Sequence, residues 1–170
     1  MPIYIALLRA VNVGGTGKLR MSDLRAMCEA AGFADVRTYI ASGNVVFDSK
    51  ASAAGVKGEL EARLKVHAGK PVGVLVRTGA EMAAVLKANP FPQAAPNRTV
   101  AIFLDAPPPT DALEKAAGLG DEELRLGLRE IYVRYGAGMG TSKLRIPAAV
   151  AGTARNMNTV AVLARMAVEK

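Results

Sequence analysis

Residues 36–48 read VRTYIASGNVVFD, and this stretch decides the order of elements in the first half of the chain. Val36 to Ile40 and Val45 to Asp48 are short runs rich in β-branched and aromatic residues, which predicts two strands. The four residues between them, Ala41 to Asn44, are of types that tolerate tight turns. The two strands are therefore predicted to form a hairpin.

The elements on either side of this hairpin complete a βαββαβ order. Apolar runs and helical spacing predict a strand over 3–8, a helix from Met21 or Ser22 to Gly32, a helix over 53–68, and a strand over Val72–Val76. Ser22 is the expected N-cap of the first helix. Gly69 and Pro71 are expected to end the second. This order is that of ferredoxin-like domains.

The second half repeats nearly the same order. The predicted elements are a helix over Ala80–Ala88, a strand over Thr99–Leu104, a helix over 111–117, a hairpin of Glu123–Leu128 with Glu130–Tyr135, and a helix over Asn156–Val168. We therefore expect an α+β fold of two ferredoxin-like (βαββα-type) halves packed as one compact unit. Residues 1–170 are expected to be a single domain, with 1–78 and 79–170 as the alternative subdomains. Two separate sheets are required by this interpretation.

Composition favours a folded protein of a reducing compartment. The chain has 170 residues, of which 51% are hydrophobic and 22% charged, values that exclude a disordered chain. Cys28 is the one cysteine, so an internal disulfide is excluded, and its helical spacing predicts a small core residue. The N-terminal apolar run ends at Arg9, and no run approaches the ~20 residues of a membrane helix. We expect a cytoplasmic protein that does not bind membranes.

Positive charge is concentrated near the two ends of the chain. The formal net charge is +7, from 22 Lys and Arg against 15 Asp and Glu. Residues 1–22 and 131–168 contain basic residues and no acid. If the fold joins these segments, they form a surface that attracts anions; otherwise they form a solvated basic face.

The motifs of well-known catalytic and metal sites are incomplete. Gly14-Gly15-Thr16-Gly17-Lys18 lacks the first glycine and the Ser or Thr that a phosphate-binding P-loop requires. With one Cys and one His, His67, the common structural zinc sites are excluded. No metal and no cofactor are expected, no general base is evident, and whether the protein is an enzyme stays open.

Three polar clusters are not explained by a purely structural role. They are Arg9 with Asn12–Gly15, the run Thr38–Asn44, and the run Thr153–Thr159. The first reads LLRAVNVGG over 7–15, the second contains TYI and SGN, and the third reads TARNMNT over 153–159. Residues 89–91 read NPF.

These motifs resemble the bacterial domain-of-unknown-function family 1697. That family's pattern has LLRGINVGG near its start. At the position of its usual glycine after the arginine, this chain has Ala10. Its late motif, T-x-R-N-W-N-T, has an aromatic residue where this chain has Met157, which removes a stacking platform. The resemblance extends over nearly the whole chain. It implies a compact α+β fold similar to ferredoxin-like domains, and it implies no activity.

The clusters predict a site for an anion. Arginine offers a two-pronged donor to carboxylate or phosphate, and a helix N-terminus attracts negative charge. The candidate ligand-binding residues are Arg9, Asn12, Gly14, Gly15, Lys18, Ser42, Asn44, Lys143, Arg155, Asn156 and Asn158. The alternatives are structural: Thr153 or Asn156 caps the last helix, Ser42–Asn44 is only a turn, and Asn12 holds its own loop.

Three function classes follow. The leading hypothesis is the binding of a small phosphate- or carboxylate-bearing ligand. The second is nucleic-acid binding on a ferredoxin-like sheet, which exposed Tyr39, Tyr132 or Tyr135 on one sheet face beside the basic segments would favour. The third is a protein-interaction module, which a contiguous exposed apolar patch would favour. The oligomeric state is left open.

Overall fold

A computed structural model describes residues 1–12, 18–136 and 139–168. Within these ranges the chain forms eight strands and four helices, which confirms the α+β class. The chain divides into two compact units, one of Met1–Ala83 with Val162–Lys170 and one of Ala84–Ala161. None of the four helices in the described ranges is long and apolar enough to span a membrane.

The first unit is built on a four-stranded antiparallel sheet. Its strands are β1 (Ile3–Leu8), β2 (Ala34–Thr38), β3 (Asn44–Asp48) and β4 (Val74–Thr78), in the order β2-β3-β1-β4. The predicted hairpin is confirmed as β2 and β3, which are antiparallel neighbours. β1 lies in the middle of the sheet, with Ile5 opposite Val46 of β3 and Arg77 of β4.

Two helices contribute apolar side chains to the core of the first unit. They are α1 (Met21–Ala30) and α2 (Ala53–Ala68). Their buried residues recur at intervals of four, which places them on one helical face. The core includes Leu24 and Cys28 of α1, Val56, Leu60 and Leu64 of α2, and Tyr4, Ala6, Leu8, Val45 and Phe47 of the sheet. Phe33 stacks on Phe47 with ring centroids 4.3 Å apart.

The ends of the two helices are made differently. α2 has the predicted bounds: Ser52 accepts a hydrogen bond from the Gly55 amide, and Gly69 closes the helix at φ +74°. The prediction that Ser22 caps α1 is wrong. α1 begins at Met21, so Ser22 lies inside its first turn, and the N-cap residue Arg20 makes no side-chain capping bond.

The second unit is built on another four-stranded antiparallel sheet. Its strands are β5 (Thr99–Phe103), β6 (Glu123–Leu126), β7 (Glu130–Arg134) and β8 (Thr153–Asn156), in the order β6-β7-β5-β8. Helix α3 (Gly79–Lys87) leads along the chain from the first unit into the second, and α4 (Met157–Met166) leads back. One apolar cluster of this unit contains Val100, Leu104, Leu124, Ile131, Val133 and Ile146.

Two predictions for the second half are wrong. The helix expected over 111–117 is a series of turns, in which the Lys115 amide donates to the Asp111 carbonyl at 3.2 Å. A segment this short does not recover the cost of helix nucleation. The other error concerns β8, for which the sequence predicts no strand and places the start of the last helix at about Asn156. The residues of β8 are polar or small, and they become a strand by pairing with β5.

The C-terminal end of α4 is held within the first unit by β2 and by the start of α3. Arg37 of β2 donates from Nη1 to the Met166 carbonyl at 2.6 Å, which places a cation at the negative end of the helix. Gly79 approaches Ala167 so closely that a Cβ on it would lie 2.9 Å from the Ala167 Cβ.

We expect Gly79→Ala to lower the free energy of unfolding by about 1–2 kcal/mol, because the added methyl overpacks this contact. Gly58→Ala is the matched control, since Gly58 lies inside α2 and a Cβ there meets no atom within 4 Å. The control is expected to stabilise by about 0.5–1 kcal/mol through helix propensity. Urea denaturation measures both, and equal stabilisation by the two substitutions would contradict the close contact.

Candidate functional site

Asn12 brings two of the predicted polar clusters together. Its side-chain Nδ2 donates to the Leu19 carbonyl at 2.8 Å and to the Ala41 carbonyl at 2.7 Å. Its Oδ1 accepts a hydrogen bond from the Leu19 amide at 2.8 Å. The end of β1, the residues before α1 and the β2–β3 turn are therefore joined by one carboxamide. The alternative that Asn12 organises its own surroundings is supported by these bonds.

The backbone around Asn12 is strained. Ala10, Asn12 and Ile40 have φ values of +52°, +56° and +49°, in the left-handed region. Asparagine tolerates this region, whereas Ala and Ile incur a steric cost of about 1 kcal/mol or more. The resemblance to family 1697 implies a usual glycine at the position of Ala10, and glycine adopts a positive φ without this cost. Such strain often accompanies functional loops.

The polar residues of the β2–β3 turn stabilise the turn itself. Asn44 is fully buried, and its Nδ2 donates to the Tyr39 carbonyl and to the Ser42 hydroxyl, both at 2.9 Å. The Gly43 carbonyl accepts from the Leu8 amide at 2.9 Å, which ties the turn to β1. Gly43 has φ +90°, and a Cβ on it would lie 2.9 Å from Leu8 Cβ, so glycine is required there.

A cleft of about 430 Å³ opens beside Asn12. It is lined by Asn12, Lys18, Leu19, Arg20 and Asp23, and is called the Asn12 cleft below. Arg20 donates to Asp23 from Nε at 3.1 Å and from Nη2 at 3.4 Å, and 82% of the Arg20 side chain is exposed. Lys18 is exposed, and no hydrogen bond or ion pair joins it to a residue that the structure describes.

The other predicted residues near β1 fall into two groups. Arg9 is half-buried; its amide donates to the Gly73 carbonyl at 2.9 Å, and its aliphatic chain covers Gly73. Gly14 and Gly15 lie outside the described residues. Arg9 comes directly after β1 in the chain and packs on Gly73. That it contacts a ligand stays a prediction.

The third cluster belongs to the second unit, and its placement at a helix N-terminus is wrong for Arg155. Arg155 lies on β8, opposite Ala101 of β5, and only 7% of it is exposed. Its Nη1 donates to Thr153 Oγ1 at 2.8 Å and to the Ala154 carbonyl at 2.9 Å. Burial lowers the pKa of Arg155 to about 10. This guanidinium is a strand side chain removed from most solvent.

The remaining residues of this cluster lie at the start of α4. The Asn156 Oδ1 accepts from the Thr159 amide at 3.0 Å, so Asn156 is the N-cap, one of the structural alternatives. Asn158 is exposed in the first turn, and Lys143 is exposed in the loop before β8.

Ser142, next to Lys143, donates to Glu122 Oε2 at 2.5 Å. This bond, and a second one from the Gly120 amide, hold the pKa of the Glu122 carboxyl below its usual range. Since the Ser142 hydroxyl donates to a carboxylate, a Ser-Lys catalytic pair is disfavoured. Within the described ranges, no group of three His, Cys, Asp or Glu residues is placed to hold a metal ion.

The aromatic residues named for nucleic-acid binding do not form an exposed platform. Tyr132 is buried, and its hydroxyl donates to the Val85 carbonyl at 2.9 Å, near the end of α3. Tyr39 and Tyr135 are half-buried. Burial, and secondarily the charge of Glu130, raise the pKa of Tyr132 to about 12. Tyr132 therefore satisfies a carbonyl at a helix end and is not available for base stacking.

Two charged residues of the Asn12 cleft are missing from the predicted site, Arg20 and Asp23. The sequence signal that could have identified them is their spacing. Arginine and aspartate three residues apart can form an ion pair where a helix begins, and this pair lies at the end of an acid-free segment. The sequence draws attention to Arg20 only as part of the basic segment, because its pairing depends on where α1 begins.

The comparisons with known proteins support a family assignment. A model of the family described as a protein of unknown function (DUF1697) matches residues 1–132. The chain belongs to the DUF1697 family. This DUF1697 chain is also similar to a solved structure, the conserved bacterial protein SP0830 from Streptococcus pneumoniae. The two are 25% identical, with 98% of each chain covered and a TM-score of 0.79. Among curated proteins, none matches.

The family match includes the first two polar clusters and ends before the third. The motif over 153–159 lies beyond the matched residues 1–132, whereas the similarity to SP0830 extends over nearly the whole chain. The Asn12 cleft thus lies entirely within the part of the chain that carries the DUF1697 assignment.

Replacement of Asn12 tests the hydrogen bonds that join the clusters. We expect Asn12→Gly to lower the free energy of unfolding by about 1–3 kcal/mol, because it keeps the left-handed backbone and removes three hydrogen bonds. Asn12→Ala should cost about 1 kcal/mol more, through strain at positive φ. Urea denaturation measures both. Exposed Asn158→Ala should change stability by less than about 0.5 kcal/mol, and an Asn12→Gly variant as stable as wild type would contradict the bonds.

Tyr132 makes stability depend on pH in the alkaline range. The pKa of Tyr132 in the folded protein, about 12, lies above the ordinary value of 10.0. The protonated phenol therefore adds to the free energy of unfolding in full below pH 10, and this contribution is lost as the pH rises toward 12. Tyr132→Phe removes this contribution and the bond to Val85, so the variant should be less stable by about 1 kcal/mol at pH 7.

Stability of the Tyr132→Phe variant should fall less steeply than that of wild type above about pH 10. Denaturant unfolding at a series of pH values tests this slope. Parallel curves for the two proteins would show that the phenol proton is not held more tightly in the folded state.

Proposed function

We propose that this DUF1697 protein binds a small phosphate- or carboxylate-bearing ligand in the Asn12 cleft. The observation that carries the proposal is the exposed ammonium of Lys18, which pairs with no described residue, beside Arg20 in a cleft of about 430 Å³. Cavities of this size accommodate small metabolites. Two cations that share one cleft favour an anion, and the excess of basic residues in 1–22 supports that preference.

Each side chain of the cleft has a distinct role in this proposal. Lys18 supplies a point charge on a flexible stem, and Arg20 supplies a planar pair of N–H donors that matches two oxygens of a carboxylate or phosphate. Asn12 acts as a positioning residue, since its amide is engaged with Leu19 and Ala41. The backbone at Leu19, between the two cations, is thereby held in place.

The other candidate residues stay predictions as ligand contacts. They are Arg9, Gly14, Gly15, Ser42, Asn44, Lys143, Arg155, Asn156 and Asn158. Binding, and not catalysis, is proposed, because Asp23 is the one carboxylate among the named lining residues and it is paired with Arg20. A general base would need a free carboxylate or imidazole near the ligand.

We also propose that the two units are ferredoxin-like halves. The element order β1-α1-β2-β3-α2-β4 and the sheet order β2-β3-β1-β4 support this for the first unit. In the second unit the corresponding sheet order β6-β7-β5-β8 supports it, with turns between β5 and β6 where the first unit has a helix.

A thermal-shift screen on wild type and Lys18→Met tests ligand binding. The probes are inorganic phosphate, nucleotides, sugar phosphates and dicarboxylates at matched ionic strength. A ligand at 100 times its Kd should stabilise by ~2.7 kcal/mol, which raises Tm by about 5–10 °C for a chain of this size. Lys18→Met should abolish most of this shift.

Lys70→Met is the matched control for the screen. Lys70 is an exposed lysine of the loop after α2, and its loss changes net charge by the same amount. The control should keep the full shift. If no anion shifts Tm, or if Lys18→Met and Lys70→Met reduce the shift equally, the anion site is absent from the Asn12 cleft.

A further inference from the structure

The Asn12 cleft contains an anion of its own. Asp23, in the first turn of α1, takes the Nε and Nη2 edge of the Arg20 guanidinium, with N–O distances of 3.1 and 3.4 Å. This edge is one of the two that a bidentate carboxylate or phosphate can use on a guanidinium. The carboxylate of Asp23 thus occupies one of the positions at Arg20 where an anionic ligand can bind through two oxygens.

We propose that Asp23 is an intramolecular competitor for Arg20, which the ligand displaces on binding. The inference rests on the proposed function, because it assigns a specificity role within that same cleft. Anions with two adjacent oxygens, such as phosphates and carboxylates, replace Asp23 at both nitrogens. A monatomic anion accepts at one point only, and so it replaces fewer of the hydrogen bonds that Arg20 makes to Asp23.

Because both side chains are at least partly exposed, breaking the ion pair between Arg20 and Asp23 costs little free energy. The Arg20 side chain is 82% exposed and that of Asp23 is 31% exposed, so water and salt screen their attraction. Exposed ion pairs of this kind contribute little to stability. Arg20 can therefore exchange Asp23 for a ligand without unfolding the start of α1.

Lys18 gives the ligand an advantage in affinity over Asp23. Among the described residues it has no ion pair, so a ligand that bridges Arg20 and Lys18 gains a contact that Asp23 does not make. The cleft is thereby selective for anions large enough to reach both cations.

Titration of inorganic phosphate into wild type, Asp23→Asn, Lys18→Met and Glu29→Gln tests this role. Calorimetry supplies the Kd values, and thermal unfolding shows that each variant is folded. Asp23→Asn should lower the phosphate Kd by about two- to fivefold, the strength of an exposed ion pair. Glu29→Gln removes one charge and one exposed pair with Arg25 from the same helix, and should leave Kd unchanged.

The outcomes separate this inference from the function on which it rests. An unchanged or higher Kd in Asp23→Asn, with binding lost in Lys18→Met, would overturn the competitor role and leave the anion site standing. An equal gain in Asp23→Asn and Glu29→Gln would show a general charge effect and would also overturn it. If neither wild type nor Asp23→Asn binds phosphate, the competitor role is wrong, and the thermal-shift screen with the other anions decides the proposed function.

Discussion

The three hydrogen bonds of the Asn12 carboxamide set the geometry on which the candidate site depends. One side chain bonds both backbone groups of Leu19 and the carbonyl of Ala41. These bonds fix the approach to α1 relative to the β2–β3 turn. Lys18 and Arg20 flank Leu19, so their positions follow from the same bonds. A short side chain with a donor and an acceptor, on a backbone at positive φ, is the combination that asparagine supplies.

Burial of the central strands explains why the candidate site lies at strand ends. β1 and β3 are buried at nearly every position, on both faces of the sheet. A ligand or nucleic acid therefore finds no exposed face on these two strands. Next to these two strands, polar side chains that can meet a partner lie in the connections at the strand ends, which a rigid sheet holds in place. The cluster of left-handed residues beside Asn12 is consistent with such a connection.

The cations of the two acid-free segments have very different surroundings. Arg155 is buried, hydrogen-bonded to Thr153, and has a lowered pKa because burial disfavours its charge. Lys18 and Arg20 are exposed at one cleft. Asp23, the first acid after residues 1–22, neutralises part of the charge of Arg20. A count of charges along the chain therefore predicts an anion-attracting protein, but the environment of each cation decides which of them a ligand can reach.

Features that depend on neighbouring residues could be predicted from the sequence alone. The bounds of α2, the β2–β3 hairpin and the buried position of Cys28 follow from helical spacing, turn residues and caps within a few positions. Two features became visible only in the folded chain: the polar segment Thr153–Asn156 is a strand, and Asn12 bonds Ala41. Strand pairing and long-range hydrogen bonds need partners that lie far along the chain, and local sequence patterns do not identify those partners.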